Sequence, residues 1–270
     1  MSVLPERLDI DGTQICYLND PDDFDPAIPK LILLNGLATK VDKWGEYPKH
    51  LKRAAIGVDA TQSSRIGFVP TMHTYARQIA RAIEEITEDP VDLDGYSKGG
   101  MEAQAVAIDY PHLIRRLVLK ATAPFAQCGW PSPKAVMNFG IPDRSSERFI
   151  RNAPDMYEGD VRKNPELVIS QGIARETNFF TFYQQIGAVV ISALSWDILR
   201  VHTIQQPTLI ISSDDDSLVP QENAETLHRL IPNSRLIIIP GGGHAFVMTQ
   251  PEPTAAMTNE FLDDEFLLAA

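Results

Sequence analysis

The residues Gly95-Tyr-Ser97-Lys-Gly99 fit the pattern Gly-x-Ser-x-Gly, with the apolar run Val91 to Leu93 before them and a helical pattern after a further glycine, Gly100. A serine at such a strand-to-helix turn takes a strained backbone conformation that pushes its hydroxyl off the sheet edge, and a side chain at either flanking glycine would crowd the turn. Ser97 is therefore a candidate nucleophile. A glycine-rich turn of this kind also serves to cradle a phosphate, so the pentapeptide needs partners before it carries nucleophilic chemistry.

A serine hydroxyl attacks poorly at neutral pH unless a base takes its proton. Among six histidines, His244 is the best placed, in Pro240-Gly-Gly-Gly-His244-Ala-Phe246, a glycine loop directly after the apolar run Leu236 to Ile239. His50, His73, His112, His202 and His228 lack such a loop and read as polar surface residues. An acid that fixes the histidine tautomer should fall between the two in chain order, after a strand. The segment Leu209-Ile-Ile-Ser-Ser-Asp214-Asp215-Asp216-Ser-Leu-Val-Pro220 offers three. Asp216 is preferred because it directly precedes the turn into the next helix. Asp214 and Asp215 remain alternatives, with a solvated turn or a helix cap as their plain structural role.

Attack on a carbonyl generates an oxyanion that needs preorganised donors, worth about 2.7 to 4 kcal/mol each. The backbone N–H of Lys98, next after the serine, is one candidate. The loop Asn35-Gly36-Leu37-Ala38, after the apolar run Leu31 to Leu34, supplies the other, with the Leu37 N–H preferred.

These residues need elements to position them. Buried strands are expected at Leu31 to Leu34, Ala54 to Val58, Val91 to Leu93, Leu117 to Leu119, Leu209 to Ile211 and Leu236 to Ile239. Helical patterns alternate with them at Tyr75 to Ile86, Met101 to Ile108, Gln221 to Leu230 and Pro251 to Leu267. Such alternation predicts an α/β fold with a mostly parallel sheet and helices on both faces. The rhythm stops between Pro124 and Gln206, where an inserted helical lid is expected over 124–206, leaving 1–123 and 207–270 as the core.

Composition narrows the function classes. With 24 Lys+Arg against 36 Asp+Glu, the net charge of −12 repels phosphate backbones, so nucleic acid is not an expected partner. The two cysteines, Cys16 and Cys128, form no close metal or redox pair, and no ligand cluster points to a metal or an organic cofactor. The first residues carry Glu6, Asp9 and Asp11 and no apolar run of signal-peptide type, and no uninterrupted run of about 18 apolar residues exists. A cytoplasmic protein without an integral membrane segment is expected, and nothing in the pattern sets an oligomeric state.

The order Asn35-Gly36, Gly95-x-Ser97-x-Gly99-Gly100, Asp216-x-x-Val219-Pro220 and Gly242-Gly243-His244 resembles the α/β-hydrolase superfamily over nearly the whole chain. The lid and C-terminal half are similar to intracellular medium-chain-length polyhydroxyalkanoate depolymerases. That likeness is carried by Ala153-Pro-Asp-Met-Tyr157-Glu-Gly159, Arg162-Lys-Asn-Pro165-Glu-Leu, Gln206-Pro-Thr-Leu209 and Asp214-Asp-Asp216-Ser-Leu-Val-Pro220. The resemblance implies a cofactor-free carboxylic-ester hydrolase of 3-hydroxyalkanoate esters, with Ser97 as nucleophile, Asp216 as acid and His244 as base. Lys98 departs from the apolar or aromatic residue of many relatives, which implies a more polar entrance.

The stretch from Phe179 to Trp196 is apolar and aromatic over the expected site. The expected substrate pocket comprises Asn35, Phe179, Phe182, Tyr183 and Phe246, and each methylene buried there would yield about 0.8 kcal/mol. The alternative is that the stretch only packs the lid onto the core. A serine nucleophile excludes the branches of the fold that use aspartate. Acyl transfer, hydroxynitrile cleavage, perhydrolysis and a receptor-like protein with little turnover remain compatible with the same residues.

Overall fold

The computed structural model describes residues 8–63, 65–125, 131–140, 146–167 and 179–264. The six apolar runs are strands: β3 (Leu31–Leu34) as expected, β4 (Ala55–Asp59) shifted by one residue, and β5 (Val91–Tyr96), β6 (Ile114–Lys120), β7 (Thr208–Ser213) and β8 (Ser234–Ile239) extended by flanking residues. Two further strands, β1 (Leu8–Ile10) and β2 (Thr13–Tyr17), precede them. Both are short and lack a continuous apolar run, so they carry little signal of their own. They join the sheet as antiparallel edge strands around the Asp11-Gly12 turn, with Gly12 at φ +82.

The eight strands lie in the order β1-β2-β4-β3-β5-β6-β7-β8, and every pair from β4 to β8 is parallel. Alternate residues of a strand face opposite sides. Ile32 and Leu34 therefore pack with Met72, Ile79 and Ile83 of α1 (Met72–Ile86) and Val106 of α2 (Lys98–Asp109), whereas Leu31 and Leu33 pack with the opposite layer, around Trp44, Phe261 and Leu262. A Thr71–Thr74 capping box starts α1.

Between β6 and β7 the described residues contain only helices: α3 (Pro133–Gly140), α4 (Ser146–Tyr157), α5 (Gly159–Lys163), α6 (Phe179–Ala193) and a 3-10 helix over Trp196–Thr203. Cys128 and the last three residues of the helical pattern expected to reach Leu267 lie outside the described residues. After β7 come α7 (Gln221–Leu230), β8, α8 (Phe246–Thr249) and α9 (Pro251–Asp263). Among the described residues no single helix is long and apolar enough to cross a membrane.

The sheet also buries charge. Asp92 and Asp94 of β5 are inaccessible to solvent; Asp92 accepts from Arg53 at 2.8 Å and from Arg115, and Asp94 pairs with Lys120 and accepts from Tyr47 at 2.7 Å. Burial drives the Lys120 ammonium below its ordinary value, against the opposing pull of Asp94.

Candidate active site

Ser97 joins β5 to α2 at φ +55, ψ −120, outside the regions that non-glycine residues favour. Three contacts hold it there: its N–H donates to Lys120 O at 2.9 Å, and its carbonyl accepts from the Thr122 hydroxyl at 2.7 Å and from Gly100 N–H at 2.9 Å. The neighbouring glycines are steric necessities. A Cβ on Gly99 would sit 2.0 Å from Leu34 O, and one on Gly95 would sit 2.5 Å from Gly99 O.

The loop after β8 brings His244 to this turn, and its Nε2 lies 3.1 Å from Ser97 Oγ. On the far side of the ring Nδ1 lies 2.7 Å from Asp216 Oδ2. The other Asp216 oxygen accepts from Leu218 N–H at 3.0 Å and Val219 N–H at 2.8 Å. A carboxylate with these partners can only accept, so Nδ1 carries the hydrogen and Nε2 presents its lone pair toward the Ser97 hydroxyl. The adjacent acids turn elsewhere. Asp214 accepts from Gly241 N–H at 2.7 Å, and Asp215 accepts from Gly159 N–H at 3.0 Å and pairs with Arg162 at 3.3 Å.

His244 is further fixed through its backbone. Its N–H donates to Tyr157 O at 2.7 Å, and its carbonyl accepts from the Tyr96 hydroxyl at 3.0 Å. Burial keeps the Tyr96 phenol well above its ordinary value, so it remains a donor. Glu158, at φ +53, sends Oε2 to Ser217 N–H at 2.8 Å, next to Asp216. The Tyr157-Glu158-Gly159 segment thus clasps the Asp216 and His244 loops together. No local pattern in the sequence announces this role; the only signal was that these residues lie in a motif quoted for its family likeness.

In the Asn35 loop, Gly36 N–H donates to Asn35 Oδ1 at 2.8 Å and Ala38 N–H to Gln185 Oε1 at 2.9 Å. The Leu37 N–H between them donates to no described group, and Leu37 lines the same spaces as Ser97. The Lys98 N–H lies in the first turn of α2, where helix N–H groups lack intrahelical partners. Ser97 separates two spaces. On one side is a cavity of about 340 Å³ walled by Met101, Phe125, Ile186, Val189, Val190 and Leu218. On the other is a recess of about 30 Å³ between Thr39, Tyr96, Tyr157 and His244.

The five expected pocket residues do not line the larger cavity. Asn35 donates to Lys40 O at 2.9 Å and Lys43 O at 2.8 Å, bracing its own loop. Phe182 is buried, Phe246 packs in the core on the other side of the sheet, and Phe179 and Tyr183 are 66% and 40% exposed. Helix α6 meets the cavity through a face other than the one bearing Phe179, Phe182 and Tyr183, with Ile186, Val189, Val190 and Ala193 spaced three and four apart. Nor does Lys98 make the wall polar. Its ammonium turns back to Glu102 at 2.5 Å, where burial raises the carboxyl's pKa against the opposing effect of Lys98.

Residues 57–251 match the family model described as serine aminopeptidase, S33. A poly(3-hydroxyalkanoate) depolymerase of Ectopseudomonas oleovorans is 36% identical over 250 residues, covering 89% of this chain and 86% of that protein. A pimeloyl-[acyl-carrier protein] methyl ester esterase of Edwardsiella ictaluri is 26% identical, covering 86% and 93%. A meta-cleavage product hydrolase of Pseudomonas fluorescens superposes with a TM-score of 0.78 at 18% identity, covering 97% of this chain and 98% of the other, which shows the shared fold.

Proposed function

This chain belongs to the serine aminopeptidase S33 family of α/β-hydrolases, and on that basis we propose that it is a serine carboxylic-ester hydrolase for medium-chain acyl or 3-hydroxyacyl esters. The observation that carries the reading is a hydrogen-bonded chain from Ser97 through His244 to Asp216 that opens on an apolar cavity. In this reading Ser97 Oγ attacks the ester carbonyl while His244 Nε2 takes its proton. The Leu37 and Lys98 N–H groups receive the oxyanion, at about 2.7 to 4 kcal/mol for each donor. His244 then returns the proton to the departing alcohol and activates a water to release the acid, while Asp216 holds the imidazole and stabilises its charged form.

The acyl chain occupies the cavity of about 340 Å³, within the size range of about 300 to 1,000 Å³ for small-molecule sites, and the residues at 124–206 act as its lid. Each methylene buried there contributes about 0.8 kcal/mol, or roughly a fourfold gain in specificity constant. A medium-length chain is therefore favoured over acetate. The depolymerase relative supports a 3-hydroxyacyl ester as the natural class.

The test is hydrolysis of p-nitrophenyl esters from acetate to dodecanoate by the wild type and by Ser97→Ala. A medium-chain optimum that vanishes in the variant is expected, followed by cleavage of medium-chain 3-hydroxyalkanoate oligomers. Activity that survives in Ser97→Ala, or a wild type that cleaves no ester, would overturn the reading.

A further inference from the structure

Helix α6 does more than wall the cavity. Gln185, adjacent to the cavity residue Ile186, is buried, and its Oε1 accepts from the Ala38 N–H at 2.9 Å across 147 positions of sequence. Ala38 is itself buried and held at φ +65, in the left-handed region that a residue bearing a Cβ seldom occupies unless its surroundings impose it. One position earlier stands Leu37, which lines the cavity together with Ser97. The two peptide groups flanking that N–H are each pinned by a side chain: Asn35 Oδ1 on Gly36 N–H and Gln185 Oε1 on Ala38 N–H. Asn35 is tied to its own loop through Lys40 O and Lys43 O. Gln185 comes from the helix that an acyl chain would touch.

We propose that Gln185 is a positioning residue that couples acyl-chain packing on α6 to the geometry of the Leu37 donor. The inference rests on the ester-hydrolase reading above. A chain that fills the cavity packs on Ile186, Val189 and Val190 and seats α6, and the seated helix holds Gln185 against Ala38. The Leu37 N–H is then aimed at the oxyanion. Binding energy from the remote end of the acyl group is thereby expressed in kcat as well as in KM, as expected when a distant contact organises the reacting centre. A short acyl group reaches Ser97 without contacting α6 and reacts without this assistance.

The experiment measures kcat and KM separately for p-nitrophenyl acetate, hexanoate and decanoate with the wild type, Gln185→Met, Gln185→Glu and Ser97→Ala. Methionine keeps the length of the side chain and removes the acceptor; glutamate keeps an acceptor oxygen. In the wild type kcat should rise with acyl length. Gln185→Met should lower kcat on decanoate by about 10- to 100-fold, the scale of a misplaced catalytic contact, with little change in KM and a much smaller loss on acetate. Gln185→Glu should recover most of the decanoate kcat. A wild-type kcat that stays flat while only KM falls with chain length overturns the coupling without recourse to any variant. So does an equal loss by Gln185→Met on all three esters. Both outcomes leave Ser97-dependent hydrolysis intact, whereas hydrolysis that survives in Ser97→Ala overturns the underlying reading as well.

Discussion

Asp216 meets His244 Nδ1 with one oxygen and two backbone N–H groups with the other, so its charge and its hydrogen bonding can be separated experimentally. Asp216→Asn can keep its oxygen on Leu218 and Val219 while turning an amide N–H toward His244, which forces the wrong tautomer. We expect kcat for ester hydrolysis to fall by about 10⁴-fold with little change in melting temperature. Asp214→Asn and Asp215→Asn, whose carboxylates hold Gly241 and Gly159, should lose about tenfold or less, and a larger loss for either would move the acid's role to it. In the sequence the three consecutive aspartates differ only in that Asp216 directly precedes the Ser-Leu-Val-Pro turn, and the path of the chain after β7 brings that one to the histidine.

At the scale of elements, β5 and β6 bury a charged pair that has no apolar logic. Lys120 and Asp94 share Tyr47, and Asp94 Oδ1 has no hydrogen-bond partner among the described residues. Lys120→Met should destabilise the protein by about 3 to 5 kcal/mol in urea unfolding, because it strands Asp94 in a dry interior. Adding Asp94→Leu should recover most of that loss, and a double variant no more stable than the single one would mean that the pair stabilises on its own account. Helix α2 carries a second buried pair, Lys98 with Glu102. Burial raises the folded-state pKa of Glu102, so the contribution of this carboxyl to stability is complete below its unfolded value and is lost as pH rises through the folded one. The stability advantage of the wild type over Glu102→Gln should therefore shrink as the pH is raised from the carboxyl's ordinary value of 4.5 in denaturant titrations. An advantage that grows with rising pH would contradict the raised value.

At the scale of the whole molecule, the proposed ester hydrolysis makes the size of the space beside Ser97 the limit on which acyl chains fit. Val189 on α6 projects into it, so Val189→Trp should fill part of the cavity of about 340 Å³ and move the preferred p-nitrophenyl ester to a shorter chain while preserving turnover of acetate. An unchanged chain-length optimum would place the acyl group elsewhere. The sequence by itself determined the six parallel strands of the sheet, from six apolar runs, and nominated Ser97, His244 and Asp216. Strands buried on both faces read as continuous apolar stretches, and the serine turn needs glycines at fixed offsets, so both signals are local. The tertiary structure decided what depends on residues far apart in the chain. It chose which face of α6 meets the cavity, bent Lys98 back onto Glu102, placed Glu158 against Ser217 across 59 positions, and brought Gln185 to Ala38 across 147. A helix that is apolar on most sides has no intrinsic front, and a hydrogen bond between distant segments leaves no periodicity behind; only the packing of the whole chain selects either.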